Sequence, residues 1–154
     1  MQTGKVQEAD FPMNARLNFC ELLAKLDHQQ HPVPKLLDEG QQYWMNLAAG
    51  NRSVRTRIQV PNTMTSPRPV LFLFHGSGGS ENMFFQTYGA GKVVAEATQR
   101  GWIVVCPGQG LLGLALNLEE MLDALECFIP CDRNAVMLVG HSMGAMQVMN
   151  QVKR

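Results

Sequence analysis

The pattern of apolar and polar positions divides the chain into a helical N-terminal part and a longer part in which strands and helices alternate. Four apolar residues recur at helical spacing within residues 14–27: Phe19, Leu22, Leu23 and Leu26. This spacing predicts one amphipathic helix. Residues 28–34 are rich in residues that interrupt helices, and strand-like patterns begin at residue 41. We therefore expect a helical N-terminal extension over residues 1–40 and a separate unit over residues 41–154.

Strand-like segments dominate the first part of the second unit. Residues 43–48 and 53–60 flank Gly50-Asn51, which predicts an antiparallel hairpin. Three short, continuously apolar runs come next, at residues 70–74, 102–106 and 135–139. Such runs are typical of strands that are buried on both faces of a parallel sheet.

Helical segments separate and follow these apolar runs. Residues 90–99 have helical spacing and end before Gly101, and residues 145–153 form the last helical stretch. Asn117 and Glu120 have the spacing of a capping box and mark the start of the most regular helix. Strands that alternate with helices imply right-handed βαβ units. The predicted fold class is α/β, with the hairpin, three parallel strands and covering helices arranged in a three-layer sandwich.

Charge and hydropathy argue against several classes of function. The 13 basic residues balance 13 acidic ones without forming a basic patch, so we predict no nucleic-acid partner. Residues 101–118 are uncharged, but glycines and a proline interrupt them, so we predict no membrane span. The first ten residues lack an apolar signal segment, and a cytoplasmic location is the default expectation.

Two compositional features bear on the surface and on the thiols. Charged residues make up 17% of the chain, against about 25% in typical domains. This low value indicates either unusually apolar faces or a surface that something else covers. The four cysteines form no CxxC pair, so we expect buried thiols rather than a zinc site or a disulfide framework; they are Cys20, Cys106, Cys127 and Cys131.

Residues 140–144 (GHSMG) match the pattern G-x-S-x-G between a predicted buried strand and a predicted helix. That context is what a nucleophile elbow requires. Ser142 is therefore the candidate nucleophile, since the flanking glycines allow the strained turn that exposes its hydroxyl. The N–H group of Met143, at the start of the helix, is a candidate oxyanion donor. The alternative is a glycine-rich turn with a structural role.

Residues 75–79 (HGSGG) follow the predicted strand 70–74. Bare glycines let the backbone approach a ligand closely. Gly76 and Ser77 therefore form a candidate oxyanion loop, with the N–H group of Ser77 as a second donor. Both glycine motifs follow the carboxyl ends of parallel strands, where open α/β sheets bind ligands.

These two motifs and the segment 81–110 that links them resemble the α/β-hydrolase superfamily. Within it, the linking segment and residues 131–145 (CDRNAVMLVGHSMGA) are most similar to two groups. These are bacterial carboxylesterases related to polyhydroxybutyrate depolymerases, and the catalytic domains of prolyl-oligopeptidase-like peptidases. The resemblance covers residues 41–154. It implies that Ser142 is the nucleophile, that Met143 and Ser77 supply oxyanion N–H groups, and that no metal or organic cofactor takes part.

The sequence departs from this superfamily after the elbow. In the family an Asp or Glu and then a His follow the serine, but residues 143–154 contain none of these. We therefore expect the general base and the triad acid to lie outside this chain. On this hypothesis residues 41–154 are the N-terminal part of an α/β-hydrolase domain.

Upstream residues offer no convincing substitute for the missing base and acid. The resemblance makes His75 and His141 packing or loop-shaping residues. The remaining candidates lack motif support: His28, His31, Asp123 and Asp132. A rival G-x-G-x-x-G motif at residues 108–113 occurs in dinucleotide-binding folds, but here Pro107 precedes it and the next strand does not end in a ribose-binding acid. We interpret it as an active-site loop.

The predicted function is hydrolysis of small-molecule carboxylic esters through an acyl-enzyme at Ser142. Two alternatives stay open. One is a serine peptidase of the prolyl-oligopeptidase-like type, which is disfavoured because nothing resembling an accessory propeller precedes residue 41. The other is a non-catalytic remnant of a hydrolase. The last predicted strand has no later strand to pair with, so we also expect association through an uncovered sheet edge.

Overall fold

The computed structural model describes residues 8–9, 37–49, 52–63, 67–108 and 116–152, and the strands among them form one mixed sheet. The strands are β1 (Glu8–Ala9), β2 (Gln42–Ala48), β3 (Ser53–Gln59), β4 (Arg68–Phe74), β5 (Ile103–Pro107) and β6 (Cys131–Gly140). Their order across the sheet is β1-β2-β3-β5-β4-β6. β4 pairs in parallel with β5 and β6, whereas β3 is antiparallel to β2 and β5.

The predicted hairpin and the three predicted parallel strands are present, but the expectation that residues 135–139 are buried on both faces is wrong, because β6 lies at the end of the described sheet and its residues are half-buried or exposed. β2 and β3 pair from Gln42↔Gln59 to Ala48↔Ser53. β6 begins at Cys131, earlier than the predicted residue 135, because its first residues are polar and carry no apolar signal. The short strand β1, which pairs in parallel with β2, was not predicted. The helix predicted within residues 14–27 lies outside the described residues.

In the described part of the chain, four α-helices connect or follow the strands, and a short 3-10 segment, Tyr88–Gly91, precedes the second; the α-helices are Met83–Gln86, Lys92–Gln99, Leu118–Glu126 and Met143–Val152. The predicted cap is present, since the side chain of Asn117 accepts a hydrogen bond from the N–H of Glu120 at 3.4 Å. The helix that ends at Glu126 is shorter than the apolar repeat, although the N–H groups of Phe128 and Ile129 still donate to the Leu125 carbonyl.

The prediction of a helix from residue 90 is wrong at its start. Ala90 and Gly91 have φ values of 52° and 77°, in the left-handed region. A right-handed helix cannot include them, so it begins at Lys92. At the other end the prediction holds: the helix stops at Gln99, and Gly101 has φ 80°.

Helices cover both faces of the sheet, which confirms the three-layer α/β arrangement. On one face Met121 and Leu125 pack with β-strand residues in the larger core, beside the half-buried Val148. On the other face Phe84 and Val94 pack with a smaller core that contains residues of β4 and β5. None of the described helices is long and apolar enough to cross a membrane.

The cysteines differ from the expectation in one respect. Cys106 is a buried free thiol and Cys131 is a half-buried free thiol. Cys127 forms a disulfide bond, so the expectation of free buried thiols is wrong for this residue. Cys127 lies at the C-cap of the helix Leu118–Glu126 and is half-buried, and Cys20 lies outside the described residues.

Candidate active site

Ser142 lies in a sharp turn between β6 and the helix Met143–Val152, which we call the elbow helix. Its φ is 54°, a left-handed conformation that residues with a Cβ rarely adopt. Its side chain is exposed, and its hydroxyl makes no hydrogen bond with the described residues. A strained, exposed serine between a strand and a helix is the arrangement of a nucleophile elbow.

The two glycines of the elbow are required by close packing. A Cβ on Gly140 would overlap the backbone of Gly144 and Ala145, and a Cβ on Gly144 would overlap the carbonyl oxygen of Phe74. Both contacts are with backbone atoms, which cannot rotate away as a side chain can. The elbow helix can therefore begin at Met143 only with glycine at these two positions.

The glycine loop, residues 75–79, lies against the elbow. β4 and β6 are parallel neighbours with the register Phe74↔Gly140, so both loops leave the sheet at the same edge. The N–H of His141 donates to the carbonyl of Phe74 at 3.0 Å. A Cβ built on Gly76 would lie 3.3 Å from the Cβ of Ser142 and 3.0 Å from Nδ1 of His141. The structure thus brings together the two motifs that the sequence separates.

Backbone N–H groups are available on both sides of Ser142. The N–H of Met143 belongs to the first turn of the elbow helix, where N–H groups have no partner within the helix. Ser77 is the next residue after Gly76 in the same turn, which the Gly79 N–H closes on the Gly76 carbonyl at 3.1 Å. Neither Met143 nor Ser77 donates its N–H to another described residue. Such groups can stabilise a developing oxyanion.

The two histidines of the motifs have different surroundings. His75 is fully buried, and its Nδ1 lies 2.7 Å from the carbonyl oxygen of Gly76, inside the loop that it shapes. His141 is exposed, and its ring lies 4.5 Å from that of Tyr88. His28 and His31 lie outside the described residues.

Neither aspartate that was weighed as a triad acid lies beside Ser142. Asp132 is at the start of β6, the opposite end from the elbow, and accepts a hydrogen bond from the N–H of Asn134. Asp123 pairs with Arg133 on the surface of the helix Leu118–Glu126. Among the described residues, no group of three His, Cys, Asp or Glu side chains is placed to hold a metal ion.

Tyr88 is a site residue that the sequence analysis missed. Its hydroxyl lies 3.5 Å from the N of Gly76, and its ring packs edge-on against Phe84 as well as against His141. The chain places it there through the left-handed turn at residues 89–91. The glycines around Ala90 were the signal that could have revealed this turn. The rival glycine motif at residues 108–113 lies outside the described residues except for Gly108, whose N–H donates to the Arg55 carbonyl.

Solved structures of similar fold are esterases and other serine hydrolases. An S-formylglutathione hydrolase from Agrobacterium tumefaciens matches with a TM-score of 0.60 and 16% identity, over 75% of this chain and 54% of its own. An acetyl xylan esterase from Aspergillus awamori matches with a TM-score of 0.60 and 20% identity, over 73% and 46%. The fluorophosphonate-binding serine hydrolase F of Staphylococcus aureus matches with a TM-score of 0.52 and 19% identity, over 70% and 49%.

The extent of these matches limits what they establish. No protein-family model matches the sequence, and a comparison with curated proteins finds no match. The chain spans about half the length of the solved structures that it matches. At these identities the likeness concerns the fold. Over the matched part, the chain has the fold of these serine hydrolases and esterases.

Proposed function

We propose that this chain carries the nucleophile and the oxyanion loop of a serine hydrolase that cleaves carboxylic esters. The observation that carries the proposal is the strained, exposed Ser142 beside Gly76, with unpaired N–H groups on either side. The matched structures are named as esterases and hydrolases, which favours an ester over a peptide bond. The alternative hypothesis, a serine peptidase of the prolyl-oligopeptidase-like type, has no comparable support.

In the proposed reaction the Ser142 Oγ attacks the ester carbonyl while a general base takes its proton. The carbonyl oxygen becomes negative and accepts hydrogen bonds from the N–H groups of Met143 and Ser77. The alcohol leaves with a proton, and an acyl-enzyme remains on Oγ. Water then adds to the acyl carbon, and the carboxylic acid is released as the serine regains its proton.

We propose no general base and no triad acid among the described residues. No Asp, Glu or His follows Ser142 in the sequence, and an unassisted serine hydroxyl is a weak nucleophile. We therefore expect this chain alone to turn over esters slower than an ordinary esterase by a factor on the order of 10⁴ or more.

Labelling with a fluorophosphonate probe tests the assignment of Ser142. We expect slow labelling that maps to Ser142, disappears in Ser142→Ala and persists in Ser53→Ala, an exposed serine at the start of β3, which β5 and β4 separate from β6. A chain whose labelling is unchanged by Ser142→Ala, or that is inert at high probe concentration, supports the non-catalytic remnant instead. Ester hydrolysis at ordinary rates by this chain alone would contradict the expected slow turnover and show that one of its own residues serves as the base.

A further inference from the structure

A buried arginine lies under the segment that continues the glycine loop. Arg57 points from the middle of β3 and is only 7% exposed. Its guanidinium is stacked between two aromatic rings, with Cζ 4.4 Å from the centroid of Trp44 and 4.0 Å from that of Phe85. Burial lowers the pKa of Arg57 from its ordinary value, as expected for a cation held away from water. Such a group is costly to bury, so its contacts should compensate for lost hydration.

The hydrogen bonds of Arg57 go to side-chain amides. Nη1 donates to Oδ1 of Asn82 at 2.8 Å, and Nη2 donates to Oε1 of Gln42 at 2.6 Å. The indole N–H of Trp44 reaches the same Asn82 oxygen at 3.4 Å. One amide oxygen of Asn82 therefore accepts from two residues of the hairpin.

The side chain of Asn82 does not cap the helix that this residue begins. It is the N-cap residue of the helix Met83–Gln86, yet its side chain makes no capping hydrogen bond. Asparagine at an N-cap usually accepts from the N–H groups of its own helix. Here the side chain is directed to Arg57 and Trp44 instead, which indicates a role in tertiary positioning.

A continuous set of contacts links Asn82 to Ser142. Met83 follows Asn82 directly, and its Cγ would lie 3.0 Å from a Cβ on Gly79, which shows how closely the two residues pack. Gly79 closes the turn on Gly76, and Gly76 lies against Ser142. These contacts connect Asn82 to the loop that carries the candidate donor Ser77.

The neighbouring residues brace the same segment. Arg55, also on β3, pairs with Glu81 at 3.3 Å. Phe85, which stacks on Arg57, adjoins Phe84, and Phe84 packs against Tyr88 at the elbow. The short helix Met83–Gln86 thus connects the Arg57 cluster to both the glycine loop and Tyr88.

We propose that Arg57 and Asn82 are positioning residues, which hold the glycine loop at the distance from Ser142 that its oxyanion donors require. This inference rests on the proposed function, since it assigns these residues to the same site. Neither residue touches the reacting atoms. Their effect is on the geometry of the N–H groups, and small displacements of such groups reduce rates strongly.

The test is a single-turnover acylation of the full chain by p-nitrophenyl acetate and by its thiono analogue, in which sulfur replaces the carbonyl oxygen. N–H donors stabilise a developing oxyanion better than the weaker acceptor sulfur, so the ratio of the two rates reports on donor placement. Variants are Asn82→Ala, Asn82→Asp, Arg57→Met and the matched control Arg100→Met, an exposed arginine in a surface ion pair. Rates are compared at equal folded fraction.

We expect Asn82→Ala and Arg57→Met to lower both the oxygen-ester rate and the oxygen-to-sulfur rate ratio by about tenfold, because even a modest misplacement of the N–H donors weakens their hydrogen bonds to the oxyanion. Asn82→Asp keeps the acceptor for Arg57 and should stay within about threefold, as should Arg100→Met. If Arg57→Met does not fold, the two Asn82 variants decide the question.

The outcomes separate the two proposals. If acylation depends on Ser142 but Asn82→Ala leaves the rate and the ratio unchanged at equal folded fraction, Arg57 and Asn82 are only structural and the inference is wrong. If the wild-type chain shows no acylation that depends on Ser142, the proposed function fails, and this inference fails with it.

Discussion

At the scale of single residues, Gly144 determines how closely the elbow helix approaches β4. A Cβ at this position would overlap the carbonyl oxygen of Phe74, which is a backbone atom. We expect Gly144→Ala to lower the free energy of unfolding by about 3 kcal/mol, the upper part of the range for overpacked sites. Urea denaturation followed by circular dichroism measures this change.

Gly89→Ala is the matched control for Gly144→Ala. Gly89 has φ 59°, but a Cβ there would meet no atom within 4 Å. Only the left-handed backbone opposes the alanine, at a cost of about 1 kcal/mol. Equal losses in the two variants would show that steric overlap at the elbow is unimportant.

One buried and one half-buried thiol make the stability of the fold sensitive to high pH. Burial raises the pKa of Cys131 from 9.0 to about 12 and that of Cys106 still further. The unfolded chain therefore loses protons above about pH 9 while the folded chain keeps them, so the free energy of unfolding falls as pH rises through this window. Each fully shifted thiol contributes about 1.4 kcal/mol per pH unit.

Cys131→Ala tests this linkage. We expect the variant to lose less stability than the wild-type chain between pH 9 and pH 11, by about 1 kcal/mol per pH unit. Denaturation curves at pH 7 serve as the reference, because both thiols are protonated there in both states. Parallel pH profiles for the two proteins would contradict the assignment.

The residues of the elbow could be predicted, whereas those that brace it could not. Ser142 and Met143 belong to a short sequence motif, and the strand and helix that flank it are also indicated by neighbouring residues. Arg57 and Asn82 are 25 positions apart and meet only in the folded chain. Alternation in β3 places Arg57 on the face opposite Ile58, where aromatic rings and side-chain amide oxygens from other elements compensate for the burial of the cation.

At the scale of elements, the cap of the helix Leu118–Glu126 gives a measurable contribution. The Asn117 oxygen accepts from the N–H of Glu120, and its Nδ2 donates to the Glu120 carboxylate at 2.9 Å. Asn117→Ala removes both bonds, and we expect a loss of about 1 kcal/mol in the free energy of unfolding. Asn117→Ser restores a capping oxygen and should recover most of this loss; an equally unstable serine variant would contradict the capping role.

The elements were predictable where their signal is local. The hairpin, the apolar runs of β4 and β5 and the cap at Asn117 all follow from neighbouring residues. The start of the helix Lys92–Gln99 did not, because Ala90 adopts a left-handed conformation that alanine disfavours and that the surrounding packing imposes. The early residues of β6 also escaped prediction: Cys131 pairs with Arg68, but a register shift separates this pair from Val70↔Val136, and no regular apolar pattern marks the stretch.

At the scale of the whole molecule, the exposed large apolar side chains of the described residues lie on one side. Among the described residues, the exposed large hydrophobic side chains are Met137, Met146, Met149 and Val152. They belong to β6, the last strand of the sheet, and to the elbow helix beside it. This apolar surface adjoins the edge of β6 with which no other described strand pairs.

An unpaired apolar edge predicts association of one copy of the chain with another. We expect the sedimentation coefficient to rise with protein concentration, and Met149→Glu to shift this rise to higher concentrations, because burying a new carboxylate in a contact is unfavourable. Ala95→Glu adds the same charge at an exposed position on the helix Lys92–Gln99, which covers the opposite face, and should leave the profile unchanged. Met149 is 58% exposed, so its replacement should cost little stability. A wild-type chain that stays monomeric at all concentrations and unfolds cooperatively would contradict the predicted association through this surface.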